Sequence, residues 1–451
     1  MRSTTRRSAL AVIGAASVAA LAACGGGGGG SGSGGGGGAD GAGKTLNVYI
    51  GANTQFPKEF AAWQQDIASQ FKTQTGATVK FETFASANDE VTKIETSAVS
   101  GNGPDIYGVG TTMTPTAYAT GAFTKLDDAA WQKVGGKNKF LPATLGISGP
   151  DANNQIGIPW ATRPFVMAYN KDLLKAAGID KPATTWDELG QQAKKMTHGD
   201  QYGLAVAYKD NFDPWKFAWG MSITAGNPLV QGKTAKINDP TVKKAYQTYF
   251  GWLTTDKVVN PAAVGWTNTQ ALAEFTKGKT GYFMLTTPTS LPTLNASPLK
   301  GKWAYALLPT VPPGMTTRPS GAPEAASILS GDNLLVADYS KNKDLAFALV
   351  KLMTDDQNAK AYWEKMGQPP TNATTAQTVL SDPTLAPVLE AAKKSVATPF
   401  TGAWGTIQLA LTNVAVQSIP DLSQGSVPDS KLDSLLADAQ TKAQQALDRA
   451  K

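Results

Sequence analysis

The sequence predicts an α/β fold built on a parallel sheet with crossover helices. Three observations predict it. Short apolar strands alternate with helix-period segments between residues 46 and 109, the pattern that lays strands side by side with helices returning over them. The chain has 451 residues and one cysteine, so a large core rather than an intramolecular disulfide must hold it together. Behind the N-terminal segment about 400 residues remain, enough for two domains.

In chain order, Leu46-Asn47-Val48-Tyr49-Ile50 reads as the first strand. Pro57 opens a helix on which Phe60, Trp63, Ile67 and Phe71 share one apolar face, with Trp63 expected in the core. Gly76 ends it. Residues 78–84 alternate as a second strand. A second helix carries Val91, Ile94, Ala98 and Val99 inward and stops at Gly101-Asn102-Gly103-Pro104. Residues 105–109 form a third short strand. Further on, Thr185-Trp186-Asp187-Glu188 reads as a capping box, with Trp186 as a packing residue. Pro240 follows Asp239 at the first position of a helix. Residues 268–277 and 343–353 are helices, 282–285 and 334–336 strands, and 430–450 a terminal amphipathic helix.

The N-terminus carries a different signal. Arg2, Arg6 and Arg7 precede an uncharged run of about 15 residues, too short to span a bilayer and typical of a secretory signal. Leu21-Ala22-Ala23-Cys24 closes the run and is similar to a bacterial lipobox, which makes Cys24 the expected lipidated residue and 1–23 the signal peptide. Residues 24–43 read as a Gly/Ser tether. No later stretch of ~20 apolar residues offers a membrane span. Without the three arginines the 41 basic residues become 38 against 35 acidic. With no basic run, this balance excludes nucleic acid as the expected partner.

Several segments together resemble the bacterial extracellular solute-binding protein family, whose best-known member is the maltose-binding protein. They are Ser100-Gly101-Asn102-Gly103-Pro104-Asp105-Ile106, Gly157-Ile158-Pro159, and Ala168-Tyr169-Asn170-Lys171-Asp172-Leu173. They continue with Thr185-Trp186-Asp187-Glu188-Leu189, Ala273-Glu274-Phe275-Thr276-Lys277-Gly278 and Gly331-Asp332-Asn333-Leu334-Leu335-Val336. Their order matches the family over residues 44–451. The resemblance implies a two-lobed periplasmic-binding-protein-like fold of type II, with discontinuous lobes joined by crossover strands. Lobe 1 is expected at 44–162 plus 331–372, and lobe 2 at 163–330 plus 373–451. Pro159 and Pro164 bracket an extended crossover suited to a hinge.

The resemblance also implies a carbohydrate ligand in the interlobe cleft, no cofactor, and delivery to the membrane permease of an ABC importer by a monomeric protein on the extracytoplasmic face. A sugar site wants flat aromatics to stack and planar polar groups to hydrogen-bond, and the chain has 11 Trp. Trp215 and Trp404 match stacking positions of the family, and Asp213 an acidic one. Trp160 and Arg163 fall at cleft positions in the first crossover. Arg163 stands where the family's maltose binder is acidic, which argues against maltose itself. Asn53 lies past the first strand, and Thr111 and Thr112 follow the third, where ligands of α/β sheets bind. Asn88 and Asp89 serve either as contacts or as helix caps. Asp332, Asn333 and Thr287 complete the set.

Enzyme chemistry has little to build on. His198, the sole histidine, sits in a polar turn. No Cys/His cluster offers zinc ligands, and no glycine motif is complete for a nucleotide. The readings left beside a sugar binder are a binder of a peptide or polyol phosphate, favoured by Arg163, and a secreted glycoside hydrolase, which needs a carboxylate pair.

Overall fold

Period-two alternation in the first segments folds as strands, and the computed structural model describes residues 41–210 and 213–450. The expected signal peptide, Cys24 and the tract up to residue 40 lie outside the described residues. Nine strands build the two larger sheets. They are β1 (Thr45–Gly51), β2 (Thr78–Phe84), β3 (Ile106–Gly110), β4 (Ile158–Thr162), β5 (Val166–Asn170), β6 (Tyr202–Ala205), β7 (Thr280–Thr286), β8 (Trp303–Ala306) and β9 (Gly331–Val336).

The first sheet has the order β2-β1-β3-β9-β4, the second β8-β5-β7-β6. β1 is parallel to β2 and β3, as the strand–helix alternation requires. β9 runs antiparallel to both β3 and β4, so the sheet is mixed rather than all parallel. The reason is connectivity: β9 enters from the other sheet, without a crossover helix to set its direction. In the second sheet β5 is antiparallel to β7 and β8, while β6 and β7 are parallel.

Each sheet is covered on both faces by apolar clusters of its own. One pair draws on residues 46–161 and 334–366, with Trp63, Ile67 and Phe71 fully buried. The other draws on 165–329 and 385–447. Two cores on two sheets make two lobes. The family-like Pro104-Asp105 turn has a structural task here. The Asp105 carboxylate accepts from Asn47 N at 2.8 Å and from Ser340 Oγ at 2.7 Å, tying β1 to the segment after β9.

Two local expectations change. Val99 is 90% exposed. The inward face of helix Ala87–Ser100 is Val91, Ile94 and Ser97, which follow one another at three-residue spacing, while Val99 lies about 140° round from Ile94 at the centre of that face. In helix Trp186–Met196 the Thr185 hydroxyl caps Glu188 N at 3.0 Å as expected, but the Glu188 carboxylate returns to Thr184 N at 2.8 Å rather than to the N-cap amide.

The chain crosses between the lobes three times. β4 passes into β5 through Arg163-Pro164-Phe165. Residues 327–328 pair in parallel with 395–396, after which Gly331 enters β9. A side chain at Gly331 would strike the Ala161 carbonyl, so this crossover needs glycine. The third pass leaves helix Asp356–Met366. Pro369 O accepts there from Thr162 N at 3.0 Å, and Thr371 Oγ1 donates to Pro159 O at 2.8 Å. The first crossover is therefore bonded to the third, and Arg163 N donates to Ser330 O at 2.9 Å to join it to the second.

Candidate functional site

A cavity of about 530 Å3 opens between the lobes, inside the size range of small-molecule sites. Lobe 1 supplies the turn after β1, the end of β3, helix Ala87–Ser100 and the crossovers. Lobe 2 supplies the start of helix Pro214–Thr224, residues 267–270 and the end of β7. The walls meet at the rim, where Thr54 Oγ1 lies 3.4 Å from Thr269 Oγ1 and Gln55 Nε2 reaches Thr293 Oγ1 at 3.5 Å.

Eight of the residues expected from the sequence line this cavity: Asn53, Thr112, Trp160, Arg163, Asp213, Trp215, Thr287 and Asp332. Asn53 builds its turn, its Oδ1 accepting from Gln55 N and Phe56 N at 3.1 and 2.8 Å. Trp160 is 7% exposed. Its ring stacks on Trp63 at 5.6 Å and faces Tyr362 at 4.9 Å. Gly108 sits beside it. A Cβ there would meet Ile50 at 2.6 Å and the Trp160 ring at 3.3 Å. On the opposite wall Trp215 meets Trp404 edge-on at 5.8 Å, and the Lys216 ammonium sits 4.7 Å from the centre of the Phe165 ring.

Five expected residues lie outside the lining. Trp404 is 0% exposed and stands behind Trp215 in the lobe 2 core. Asn88 and Asp89 are exposed. The helix cap is Ser86, whose hydroxyl accepts from Asp89 N at 3.1 Å and donates to the Asp89 carboxylate at 2.8 Å. Thr111 Oγ1 accepts from Gly331 N at 3.0 Å, and Asn333 Nδ2 donates to Thr114 Oγ1 and Ile147 O at 3.0 and 2.9 Å. Thr111 and Asn333 line a smaller space of about 90 Å3 instead.

The cavity also holds Glu90, Asp210, Lys216, Asn268, Tyr362, Gln368 and Gln408, none singled out from the sequence. Lys216 adjoined the motif of Trp215 and was legible to that extent. Glu90 likewise adjoins Asn88 and Asp89, and Asp210 lies three residues before Asp213, whereas Asn268, Tyr362, Gln368 and Gln408 come from helix surfaces and turns that carry no site signal of their own.

Among the described residues four carboxylates and two cations face the space: Glu90, Asp210, Asp213 and Asp332 against Arg163 and Lys216. Both cations are paired. Arg163 Nη2 lies 2.5 Å from Asp332 Oδ2, and Lys216 Nζ lies 2.5 Å from Asp213 Oδ1. The Gln368 carboxamide, oriented by its partners, accepts from Arg163 Nη2 and Nε at 3.0 and 2.7 Å. Asn268 Nδ2 donates to Asp213 Oδ2 at 2.9 Å. Burial pushes the Asp332 and Asp213 carboxyls up despite those cations. Burial also lifts Glu90 to about 8, against the opposing bond from Gly110 N. Leu285, at the end of β7, holds a left-handed φ of 50°, a strained conformation of the kind found at ligand clamps.

The bacterial extracellular solute-binding protein family matches residues 53–360. The diacetylchitobiose-binding protein of Streptomyces coelicolor is 30% identical over 325 residues, covering 71% of each chain. An ABC transporter solute-binding protein of Thermotoga lettingae, solved with α-D-tagatose, superposes with a TM-score of 0.72 at 20% identity over 89% of this chain and 100% of its own. A maltose-bound protein of T. maritima gives 0.72 at 19% identity over 88% and 99%. These structures share the two-lobed α/β architecture.

Proposed function

This chain belongs to the bacterial extracellular solute-binding protein family, and from that premise we propose that it captures a neutral carbohydrate of oligosaccharide size in its interlobe cleft and hands it to an ABC permease. The observation that carries the carbohydrate is the composition of the two walls. Trp160 with Tyr362 on one side and Trp215 with Phe165 on the other form the aromatic part of the lining, all four buried in the ligand-free protein, while hydroxyls and carboxamides of Asn53, Thr112, Asn268, Thr287 and Gln368 stand between them. Sugars present apolar faces ringed by hydroxyls, and this arrangement complements both. The sugar-binding relative and the two sugar-bound structures support the same choice.

The peptide and polyol phosphate readings draw on Arg163. Its guanidinium is taken by Asp332 and Gln368, and Lys216 by Asp213, so an anion entering the cleft gains no unpaired cation. Capture works by closure of the lobes, 44–162 plus 331–372 against 163–330 plus 373–451, about the three crossovers. Carboxylates are present, but the protein binds its sugar and does not cleave it. It acts as a monomer on the extracytoplasmic face, anchored through lipid on Cys24.

Tryptophan fluorescence and calorimetric titration with N,N′-diacetylchitobiose, maltose, D-tagatose and sn-glycerol 3-phosphate test the reading. Saturable binding of a neutral sugar recovered unchanged by chromatography is expected. A response to glycerol phosphate alone, or appearance of hydrolysis products, sinks it. For the anchor, Cys24→Ser is expected to move the protein from the membrane fraction to the soluble one. Retention on membranes removes Cys24 from that role.

A further inference from the structure

Two polar side chains in the cleft are buried with hydrogen-bonding capacity left over, and they come from different lobes. Glu90, in the first turn of helix Ala87–Ser100, is 3% exposed. Its Oε1 accepts from Gly110 N at 2.9 Å, and among the described residues its carboxyl has no other hydrogen bond. Gln408, in the second turn of helix Trp404–Gln417, is 4% exposed. Its Oε1 is buried without a partner. The two helices pack against each other, and Leu409 next door reaches the apolar cluster around Val91. Both side chains line the same cavity. Buried polar groups are nearly always paired, so an orphan at a ligand cavity calls for a partner from outside the protein.

We propose that Glu90 and Gln408 form a two-sided polar clamp, one jaw on each lobe, that takes a single neutral group of the ligand, a hydroxyl or an amide, and determines which ligands are accepted. This rests on the carbohydrate reading above. The chemistry of the jaws is complementary. The charged and titratable groups around Glu90 are Asp332 on β9, Arg163 after β4, Tyr49 on β1 and Asp89 on its own helix. With Arg163 bonded to Asp332 and burial dominant, Glu90 keeps its proton at neutral pH and donates from Oε2. Gln408 then offers an acceptor and a donor. A sugar hydroxyl takes the Glu90 proton on its oxygen and gives its own to Gln408 Oε1. A carboxylate or a fully ionised phosphate ester has no proton to give Gln408 Oε1, and its charge meets further carboxylates beside it. Because the jaws belong to different lobes, the clamp is complete only when the lobes meet, so recognition of this group is coupled to closure.

The test is calorimetric titration of N,N′-diacetylchitobiose and of maltose into wild type, Glu90→Gln and Gln408→Leu, each first shown to be folded by its thermal midpoint. For the sugar that wild type binds, Gln408→Leu is expected to weaken affinity about tenfold, the scale of one buried hydrogen bond left unmade. Wild-type affinity is expected to fall as pH rises from 7 to 9, through the ionisation of Glu90. Glu90→Gln, which keeps the bond to Gly110 and an N–H in place of the acid proton, is expected to bind at pH 7 and to lose that pH dependence. Wild-type affinity in a folded Gln408→Leu, or an unchanged pH profile in Glu90→Gln, overturns the clamp while leaving the carbohydrate reading intact. If wild type responds to none of N,N′-diacetylchitobiose, maltose and D-tagatose but only to sn-glycerol 3-phosphate, the carbohydrate reading falls and the clamp with it.

Discussion

Trp404→Ala is expected to destabilise the fold by ~3–5 kcal/mol, the cost of removing a large side chain that leaves a cavity. Trp404 is 0% exposed, packs edge-on against Trp215 and opens helix Trp404–Gln417 among the residues of the lobe 2 core. Its indole N–H has no partner, so the loss is one of packing rather than of a hydrogen bond. Sequence resemblance placed this ring on the sugar. The structure places it one layer behind, where it holds Trp215 against the cavity. Urea unfolding reads the difference, with a lowered midpoint and an unchanged slope. A loss below ~1 kcal/mol together with weaker sugar binding would return Trp404 to the ligand's surface.

Why the sequence placed some residues well and others not follows from periodicity. Between residues 45 and 110 the helices bury one face and show a period of 3.6, while β1 and β3 are short apolar runs buried on both faces, and both kinds of signal were legible. The direction of β9 was not. It depends on pairings such as Asp332 with Gly110, more than two hundred residues apart. The alternation of side chains along a strand explains the mixed fate of adjacent site residues. Asp332 and Asn333 are neighbours on a strand, so their side chains leave by opposite faces. Asp332 turns to Arg163 in the cleft and Asn333 to Thr114 behind it. Thr111 and Thr112, in the turn after β3, also part, Thr112 lining the cleft and Thr111 accepting from Gly331 N. Glu90 and Gln408 were illegible for a different reason. On its own helix Glu90 reads as an acid suited to the first turn, and Gln408 as an ordinary helix former. Their shared environment exists only where the two lobes touch.

Glu90→Gln is expected to leave stability nearly unchanged at pH 5 and to raise it at pH 9 by on the order of 4 kcal/mol in the ligand-free protein. The sign follows from burial. The folded protein holds the Glu90 proton up to about 8, against an ordinary value of 4.5. Below the ordinary value both states carry the proton and Glu90 imposes no penalty. Between the two values the unfolded chain releases the proton while the folded one keeps it, so stability falls as pH rises. Above about 8 the folded protein must carry a buried charge and the penalty is complete. Glutamine has no proton to release and keeps the acceptor for Gly110 N. Asp332 and Asp213 are pushed up as well, but they titrate in both proteins and largely cancel in the difference. Urea unfolding of both proteins at pH 5 and pH 9 decides the matter, and an equal difference at the two pH values would mean that Glu90 is solvated and charged at neutrality. A carboxyl that costs stability as it ionises, in a cleft whose cations are already committed, serves the protein through what it binds.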